Sequence, residues 1–201
     1  MGEITMNRNS WWYYTEALDR ETCNRILSLA NNWCQASTGG EKPEFALKNK
    51  IRDSKIFWTN EQWLYDLVWP FMVNANEKAG WKYDITKAED CQITKYKEKN
   101  YFNFHLDGDG DHFAAQSEKE GCPDNGLVRK LSMTILLNDT YEGGNFEFAL
   151  YKDEECKKII PDFNKSGSIV VFPSFVEHRV KPITKGERHS LVCWFVGPPF
   201  K

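Results

Sequence analysis

The spacing of apolar residues changes near Asp90, and this change limits the folds that the chain can adopt. Before it, apolar residues recur at helical spacing in two stretches, 19–33 and 63–79. After it, short runs of alternating apolar and polar residues are separated by turn residues such as Gly143-Gly144. Many short strands with such turns favour a sandwich, a jelly roll or a barrel.

The helical half has clear start and stop signals. Asp19 is positioned to cap the first helix, with Glu21 in its first turn. Pro70 lies inside the second helical stretch and predicts either a kink or a split into two helices, and Gly80 predicts its end. The strand-like runs are 91–96, 101–106, 128–138, 144–150, 168–172, 176–181 and 188–196. A polar segment, 114–125, predicts a surface loop that could cover the mouth of a barrel.

The composition narrows the class of protein. The chain has 201 residues, 41% of them hydrophobic and 27% charged, and a net charge of −3. These values are typical of one globular domain, and the negative charge argues against non-specific binding of nucleic acid. No apolar run approaches the roughly 20 residues that span a bilayer, and the N-terminal sequence lacks a secretory signal pattern. We therefore expect a cytoplasmic protein, not bound to a membrane, with its six cysteines reduced.

A possible metal site begins with His105 and Asp107. The two residues are two apart on a predicted strand, so their side chains point the same way. One imidazole and one carboxylate are two thirds of a facial iron site, which needs a third ligand from elsewhere in the chain. The remaining histidines, His112, His178 and His189, are the candidates. A solvated His–Asp pair on a surface strand is the alternative.

The last predicted strand begins with a notable arginine. Arg188 and Ser190 lie on one face of it, and His178 follows the preceding apolar strand. An inward-facing arginine is costly unless it meets an anion, and its guanidinium matches a carboxylate in bidentate fashion. The alternative is an exposed charge at the start of a strand.

The order His105-x-Asp107, His178, Arg188-x-Ser190 resembles that of the Fe(II)/2-oxoglutarate-dependent dioxygenases, and most closely their prolyl-4-hydroxylase-like branch. The resemblance covers roughly residues 16–197. Further matching segments are 17–26, Arg52-Asp53-Ser54 with Trp58, 92–96, 129–138, Tyr141-Glu142-Gly143-Gly144 and 178–188.

The resemblance implies a fold and a set of roles. The fold would be mainly β, a double-stranded β-helix or jelly roll with N-terminal helices packed outside it. Residues 1–201 would form one domain, with a mainly helical support region at 1–88 and the catalytic core at 89–197. By this resemblance the Fe(II) ligands would be His105, Asp107 and His178. The 2-oxoglutarate contacts would be Arg188, Tyr96, Ser190 and Trp194.

The implied reaction is hydroxylation of prolyl residues in a peptide or protein, with dioxygen as oxidant and succinate and CO2 as products. Ascorbate would bind as the reductant. A free amino acid or other small molecule is an alternative substrate, and a non-catalytic metal-binding jelly roll is an alternative function. The aromatic walls of the cavity would be Phe102, Phe104, Phe172 and Trp194. Leu136 stands where some prolyl hydroxylases have a cofactor-binding tyrosine.

Two other interpretations are weaker. The run Asp107-Gly-Asp109-Gly-Asp111 with Glu118 is similar to a calcium-binding EF-hand loop, but His112 stands where that loop needs glycine. The nucleic-acid demethylating branch of the same superfamily would have an arginine where this chain has Trp194. His189 is expected on the opposite strand face from Arg188.

Overall fold

The computed structural model describes residues 9–38, 42–108, 126–152, 155–159 and 163–200. This part of the chain contains the helices α1 (Arg20–Ser28), α2 (Pro43–Lys48) and α3 (Gln62–Lys78). Its strands are β1 (Trp12–Tyr14), β2 (Cys34–Gln35), β3 (Arg52–Asp53), β4 (Lys55–Thr59), β5 (Lys87–Ala88), β6 (Cys91–Tyr96), β7 (Tyr101–His105), β8 (Val128–Leu136), β9 (Glu142–Gly143), β10 (Phe146–Lys152), β11 (Glu155–Ile159), β12 (Ile169–Pro173), β13 (His178–Val180), β14 (Ile183–Lys185) and β15 (Arg188–Gly197). The predicted loop 114–125 lies outside the described residues.

Two antiparallel sheets face each other and line a shared cavity. The larger sheet has the strand order β1-β12-β8-β15-β6-β4-β2, with β5 paired to the end of β15. The smaller sheet has the order β11-β10-β13-β7-β3, and β9 and β14 form a separate short pair. Two facing sheets with helices on the outside form the expected jelly roll, so the predicted fold class is confirmed.

The larger sheet separates two groups of buried side chains. Along β8, Leu131, Met133 and Ile135 belong to the core beneath the helices. Ser132 and Thr134 alternate with them and are also buried, so they face the smaller sheet. The helices contribute to the outer core at helical spacing through Cys23, Ile26, Leu64, Val68, Met72 and Ala75. This packing holds the sheet that carries most of the cavity wall.

The helices follow their sequence signals with one difference. The Asp19 carboxylate accepts a hydrogen bond from the Thr22 backbone N–H at 2.7 Å and caps α1, as predicted. The second helical stretch is not split at Pro70, because α3 runs through it as one helix. Pro70 is exposed, so its ring meets solvent and only one backbone donor is missing from the helix. Among the described helices, none combines the length and the apolar character needed to cross a bilayer.

The first 88 residues supply more than helices. Strands β1 to β5 come from this region and extend both sheets, and β3 pairs with β7 next to the predicted metal site. The strand at 101–106 ends one residue earlier than predicted, at His105. The support region and the predicted core therefore share their sheets.

Replacing Leu64 should show how strongly α3 stabilises the larger sheet. Leu64 is fully buried in the outer core, so Leu64→Ala should lower the free energy of unfolding by roughly 2–5 kcal/mol in urea denaturation. Val73→Ala on the same helix is the control, because Val73 is 48% exposed and should change stability by less than about 0.5 kcal/mol. Similar losses for both variants would contradict this packing of α3.

Candidate metal centre and cofactor cavity

Three side chains that are distant in the sequence converge on one point. β7 and β13 are antiparallel, and their register places His105 directly opposite His178. Asp107 lies between the rings, with one oxygen 3.5 Å from His105 Nε2 and the other 3.6 Å from His178 Nε2. The three potential ligand atoms lie within 4.8 Å of one another. Two nitrogens and one oxygen on one side of a point are the donor set of a facial metal site.

Backbone contacts determine which ring nitrogen faces the centre. His105 Nδ1 lies 2.8 Å from the Asn103 carbonyl oxygen, and His178 Nδ1 lies 2.9 Å from the Val176 carbonyl oxygen. A carbonyl oxygen only accepts, so each Nδ1 carries the proton and donates it. Each Nε2 therefore keeps its lone pair and directs it toward Asp107. Both rings are oriented as metal ligands require.

Asp107 reaches the centre from a bend and not from the predicted strand. β7 ends at His105, and the backbone N–H groups of Asp107 and Gly108 both donate to the Ser174 carbonyl oxygen at 3.0 Å. A side chain added to Gly108 would lie 3.3 Å from the Ser174 side chain, so the bend is tightly packed. His105 and Asp107 point the same way, as expected. The bend, and not the alternation of a strand, gives the Asp107 side chain this direction.

The site has the protonation state that a cation needs. Burial disfavours ionisation of Asp107, but interactions with the two histidines and Arg129 outweigh it and hold its pKa well below the usual range. Burial and the neighbouring His105 lower the pKa of His178 to about 4. At neutral pH the centre therefore combines a carboxylate with a neutral His178 imidazole, as divalent cation binding requires.

Arg188 lies in the same cavity and is 1% exposed. Its Nη1 donates to Ser190 Oγ at 3.1 Å, whereas its Nε and Nη2 are buried without a hydrogen-bond partner. Two unpaired guanidinium N–H groups in a buried cavity are costly unless an anion accepts from them. Gly144 makes this placement possible, since a side chain there would lie 3.2 Å from Arg188 Cδ.

The other predicted cofactor contacts also line the cavity. Tyr96 is paired with Arg188 across β6 and β15, and the Arg188 guanidinium lies 5.6 Å from the Tyr96 ring centre. Ser190 and Trp194 follow Arg188 on the same face of β15 and also reach the cavity. The indole Nε1 of Trp194 is buried without a partner. The structure thus brings all seven predicted site residues together as the lining of one open cavity, whose volume is about 390 Å³.

The aromatic walls differ from the expectation. Phe102 lines the cavity and stacks on His105 with ring centres 3.4 Å apart. Phe104 does not line it and lies beneath the Arg179 guanidinium at 4.5 Å. Phe172 belongs to the core between the sheets, and its ring centre lies 4.6 Å from that of His178. Phe146, which the sequence does not predict as a wall, lines the cavity.

Arg52 is a cavity residue to which the sequence pattern gave no role. It is 6% exposed and lies on β3 opposite Phe102. Its Nε donates to Ser54 Oγ and its Nη2 to Gln92 Oε1, both at 2.8 Å. The alternation in Arg52-x-Ser54 is the sequence signal of this shared face, but the sequence does not show which cavity the face lines.

A third arginine, Arg129, lies beside Trp194. Arg129 donates from Nε to one carboxylate oxygen of Glu89 at 2.8 Å and from Nη2 to the other. The guanidinium also lies 4.2 Å from the Trp194 ring centre, and Trp58, which is 45% exposed, packs against Trp194 at 5.8 Å. Arg129 and Glu89 are far apart in the sequence, so no local pattern predicts their pairing.

The remaining predicted positions have separate outcomes. His189 faces away from Arg188, as expected, and packs beside Trp33 with ring centres 6.2 Å apart. His112 and the calcium-loop positions Asp109, Asp111 and Glu118 lie outside the described residues. Cys23, Cys91 and Cys193 are buried free thiols, and Cys34 is an exposed one.

Comparison of the sequence with known families identifies the class. The profile of the 2OG-Fe(II) oxygenase superfamily matches residues 91–196, so the chain belongs to this superfamily. A PKHD-type hydroxylase of Xylella fastidiosa (strain M12) is 32% identical over 109 residues, which are 51% of this chain and 42% of the relative. A PKHD-type hydroxylase of Hyphomonas neptunium (strain ATCC 15444) is 36% identical over 92 residues, 43% of this chain and 38% of the relative. The chain therefore matches about two fifths of the length of these relatives.

Solved structures support the fold over nearly the whole chain. The viral collagen prolyl hydroxylase of Paramecium Bursaria Chlorella virus-1, in its 2OG complex, has a TM-score of 0.63 at 19% identity, with 94% of this chain and 97% of that one covered. A Pseudomonas putida prolyl-4-hydroxylase also has a TM-score of 0.63, at 20% identity and with 92% of both chains covered. A Trichoplax adhaerens prolyl hydroxylase in complex with a hypoxia inducible factor peptide fragment has a TM-score of 0.64 at 19% identity, covering 94% and 84%. The jelly roll of this superfamily is thus the fold of this chain.

Stability in acid should depend on His189. Its side chain is 13% exposed, and burial lowers its pKa, while Glu187 at 3.7 Å favours the charged ring and Lys95 and Arg188 oppose it. The unfolded chain therefore takes up the proton more readily. The contribution of neutral His189 to the free energy of unfolding is fully present above the unfolded pKa of about 6.5 and is lost as the pH falls below it.

We expect the free energy of unfolding of the metal-free protein to fall more steeply below about pH 6.5 than that of His189→Gln, measured by urea denaturation across pH. The other histidines are common to both proteins and cancel in the comparison. Parallel pH profiles would show that His189 does not contribute.

Proposed function

We propose that the protein is an Fe(II)- and 2-oxoglutarate-dependent dioxygenase that hydroxylates prolyl residues of a peptide or protein and forms succinate and CO2. The observation that carries this proposal is the cavity itself. A two-histidine, one-carboxylate cluster and a buried guanidinium with two free N–H groups line the same space. Membership of the 2OG-Fe(II) oxygenase superfamily supports the same assignment.

His105, Asp107 and His178 would hold Fe(II). Their donor set fits this metal, since two imidazoles and one carboxylate on one face leave positions open for other ligands. The Asn103 and Val176 carbonyls keep both imidazoles in the ligating tautomer. When bound, the metal would supply the activation of dioxygen, which oxidative decarboxylation of 2-oxoglutarate drives and which leads to insertion of oxygen into a C–H bond.

Arg188 would hold the carboxylate of 2-oxoglutarate that is remote from the metal. Its free Nε and Nη2 match a carboxylate in bidentate fashion. Ser190 fixes the guanidinium through Nη1, and Tyr96 would donate its hydroxyl proton to the same carboxylate. Trp194 would close the cavity beside the cofactor, with its indole N–H available as a further donor. Ascorbate would serve as the external reductant.

The apolar walls would exclude water and hold the reacting C–H bond near the metal. Phe102 stacks on His105, and Phe146 stacks on the His178 ring with ring centres 5.4 Å apart. Both aromatic rings therefore restrict motion of the ligating imidazoles. Exclusion of water protects a reactive intermediate from side reactions.

The residues at the Trp194 end of the cavity suit a peptide or amino-acid substrate. We call Trp194, Trp58, Arg129 and Glu89 the rim. Trp194 and the exposed Trp58 present aromatic faces, on which a pyrrolidine ring can pack. The pair of Arg129 and Glu89 presents polar groups beside them without net charge. Three fold neighbours are prolyl hydroxylases, and one of them is in complex with a peptide fragment.

The chain would act as a single catalytic domain, with residues 89–197 as core and 1–88 as its support. Strands from the support region extend both sheets, and one of them carries Arg52 into the cavity. The protein would act in a reducing compartment such as the cytoplasm, where the thiols of Cys91 and Cys193, whose sulfurs lie 3.5 Å apart, would stay reduced.

Removing a metal ligand should abolish both metal binding and turnover. We expect His105→Ala, Asp107→Ala and His178→Ala each to weaken anaerobic Fe(II) binding at least about tenfold and to eliminate 2-oxoglutarate-dependent succinate formation. His189→Ala is the matched control, because that histidine faces away from the cavity, and its Fe(II) affinity should equal that of the wild type. Unchanged Fe(II) affinity in any of the three ligand variants would contradict the assignment.

Replacing Arg188 should weaken 2-oxoglutarate binding more than metal binding. Arg188→Gln removes the charge that faces the remote carboxylate, so the apparent KM for 2-oxoglutarate should rise at least about tenfold. Anaerobic titration of 2-oxoglutarate into the Fe(II) protein, followed by visible charge-transfer absorption, measures the same loss directly. Arg188→Lys should recover part of the affinity, and an unchanged 2-oxoglutarate dependence in Arg188→Gln would show that another group binds this carboxylate.

A further inference from the structure

Arg52 is a buried cation that has no carboxylate within 4 Å among the described residues. It is 6% exposed and lines the same cavity as the metal cluster. None of the ion pairs formed in the described part of the chain includes it. A buried guanidinium without an anion is costly, because its desolvation is not offset by a charge partner.

The groups in contact with Arg52 fix its position but carry no charge, and Asp107, the carboxylate that attracts it from farther away, would be shared with the metal. Ser54 and Gln92 accept from Nε and Nη2, and the Phe102 ring lies 4.5 Å below the guanidinium. Tyr96 is also within hydrogen-bonding reach. All four groups are neutral. They hold the guanidinium plane in one orientation, as a site for a planar carboxylate requires.

Arg52 and Arg188 occupy different parts of the cavity. Arg188 lies opposite Tyr96 in the pairing of β15 with β6. Gln92, the partner of Arg52, lies opposite Val192, two residues before Trp194. Four residues of strand separate Tyr96 from Gln92, which is about 13 Å of backbone. The Arg52 guanidinium therefore reaches from Gln92, near the Trp194 end of the cavity, to Tyr96, so it lies between the proposed 2-oxoglutarate site and Trp194.

The charges of the proposed complex leave Arg52 unbalanced. The two positive charges of Fe(II) and that of Arg188 balance the carboxylate of Asp107 and the two of 2-oxoglutarate. Arg129 and Glu89 neutralise each other at the rim. Arg52 is then the remaining charge among the described cavity residues, and of the components counted here the substrate is the one left to bring an anion to it.

We propose that Arg52 binds a carboxylate of the substrate, so that the preferred substrate is an amino acid with a free α-carboxylate. This inference rests on the proposed function and changes its substrate class from any prolyl peptide to a C-terminal residue of a peptide or a free amino acid. Gln92 and Ser54 position the guanidinium. Arg52 is thus a specificity-determining residue for the acid over the amide.

Binding of matched acids and amides tests this directly. The protein is loaded with 2-oxoglutarate and with Mn(II) in place of Fe(II), so that no turnover occurs, and ligand binding is measured by calorimetry. The first kind of pair is a free amino acid and its amide, such as L-proline and L-prolinamide. The second kind is a dipeptide and its amide, such as glycyl-L-proline and glycyl-L-prolinamide. Both kinds are also measured for the other standard amino acids. The first kind of pair tests free amino acids, and the second tests C-terminal residues.

We expect at least one acid to bind at least about tenfold more tightly than its amide. Arg52→Gln should reduce this ratio to near one, and Arg52→Lys, which keeps the charge, should retain part of it. Arg20→Gln is the matched control, because this arginine is exposed, pairs with Asp139 outside the cavity, and should leave the preference for the acid unchanged. Thermal unfolding of each variant checks that it is folded.

Two results would overturn the inference: equal binding of acid and amide by the wild type across all pairs, or a preference for the acid that persists in Arg52→Gln. The wild-type comparison decides the matter even if no Arg52 variant folds. Succinate formation with Fe(II) separates this inference from the proposed function. Turnover of internal prolyl peptides without any preference for acids would leave the dioxygenase intact and remove the role of Arg52.

Discussion

The antiparallel pairing of β7 with β13 is the constraint on which the site depends. It sets His105 opposite His178, and a bend held by Ser174 then places the Asp107 carboxylate between the two rings. A shift of this register by one residue would turn one imidazole to the other face of the smaller sheet and remove the cluster. The outer core contributes indirectly, because it holds the larger sheet on which the rest of the cavity is built.

Buried charge is the second organising feature. A cavity between two sheets would ordinarily be filled with apolar side chains, yet this one contains two guanidinium groups and a carboxylate. The neutral neighbours Ser54, Gln92 and Ser190 orient the guanidinium groups without cancelling their charge. Such a site gives up stability in the empty state so that anions and a cation bind in fixed positions.

Local patterns in the sequence predict only part of this site. His105-x-Asp107 and Arg188-x-Ser190 were identified because residues two apart share a strand face and their order resembles a known family. Phe104 was wrongly placed in the cavity, because it is next to His105 on β7 and strand alternation turns its side chain to the other face. Phe102 departs from this alternation: His178 pairs with His105 and Val180 with Phe102, so the register shifts and both residues reach the same cavity although they are three positions apart. The pairing of Arg129 with Glu89 depends on tertiary contacts, which a single sequence does not encode as a local pattern.

The inner faces of β6 and β15 explain how one cavity can serve two ligands. Their cross-strand pairs run from Tyr96 with Arg188, through Thr94 with Ser190, to Gln92 with Val192 and the neighbouring Trp194. Charge with two free donors lies at one end, and an aromatic wall lies at the other. Because successive inward positions on each strand differ in chemistry, the proposed dicarboxylate and the proposed substrate would occupy separate segments of the same pair of strands beside the His–Asp–His cluster.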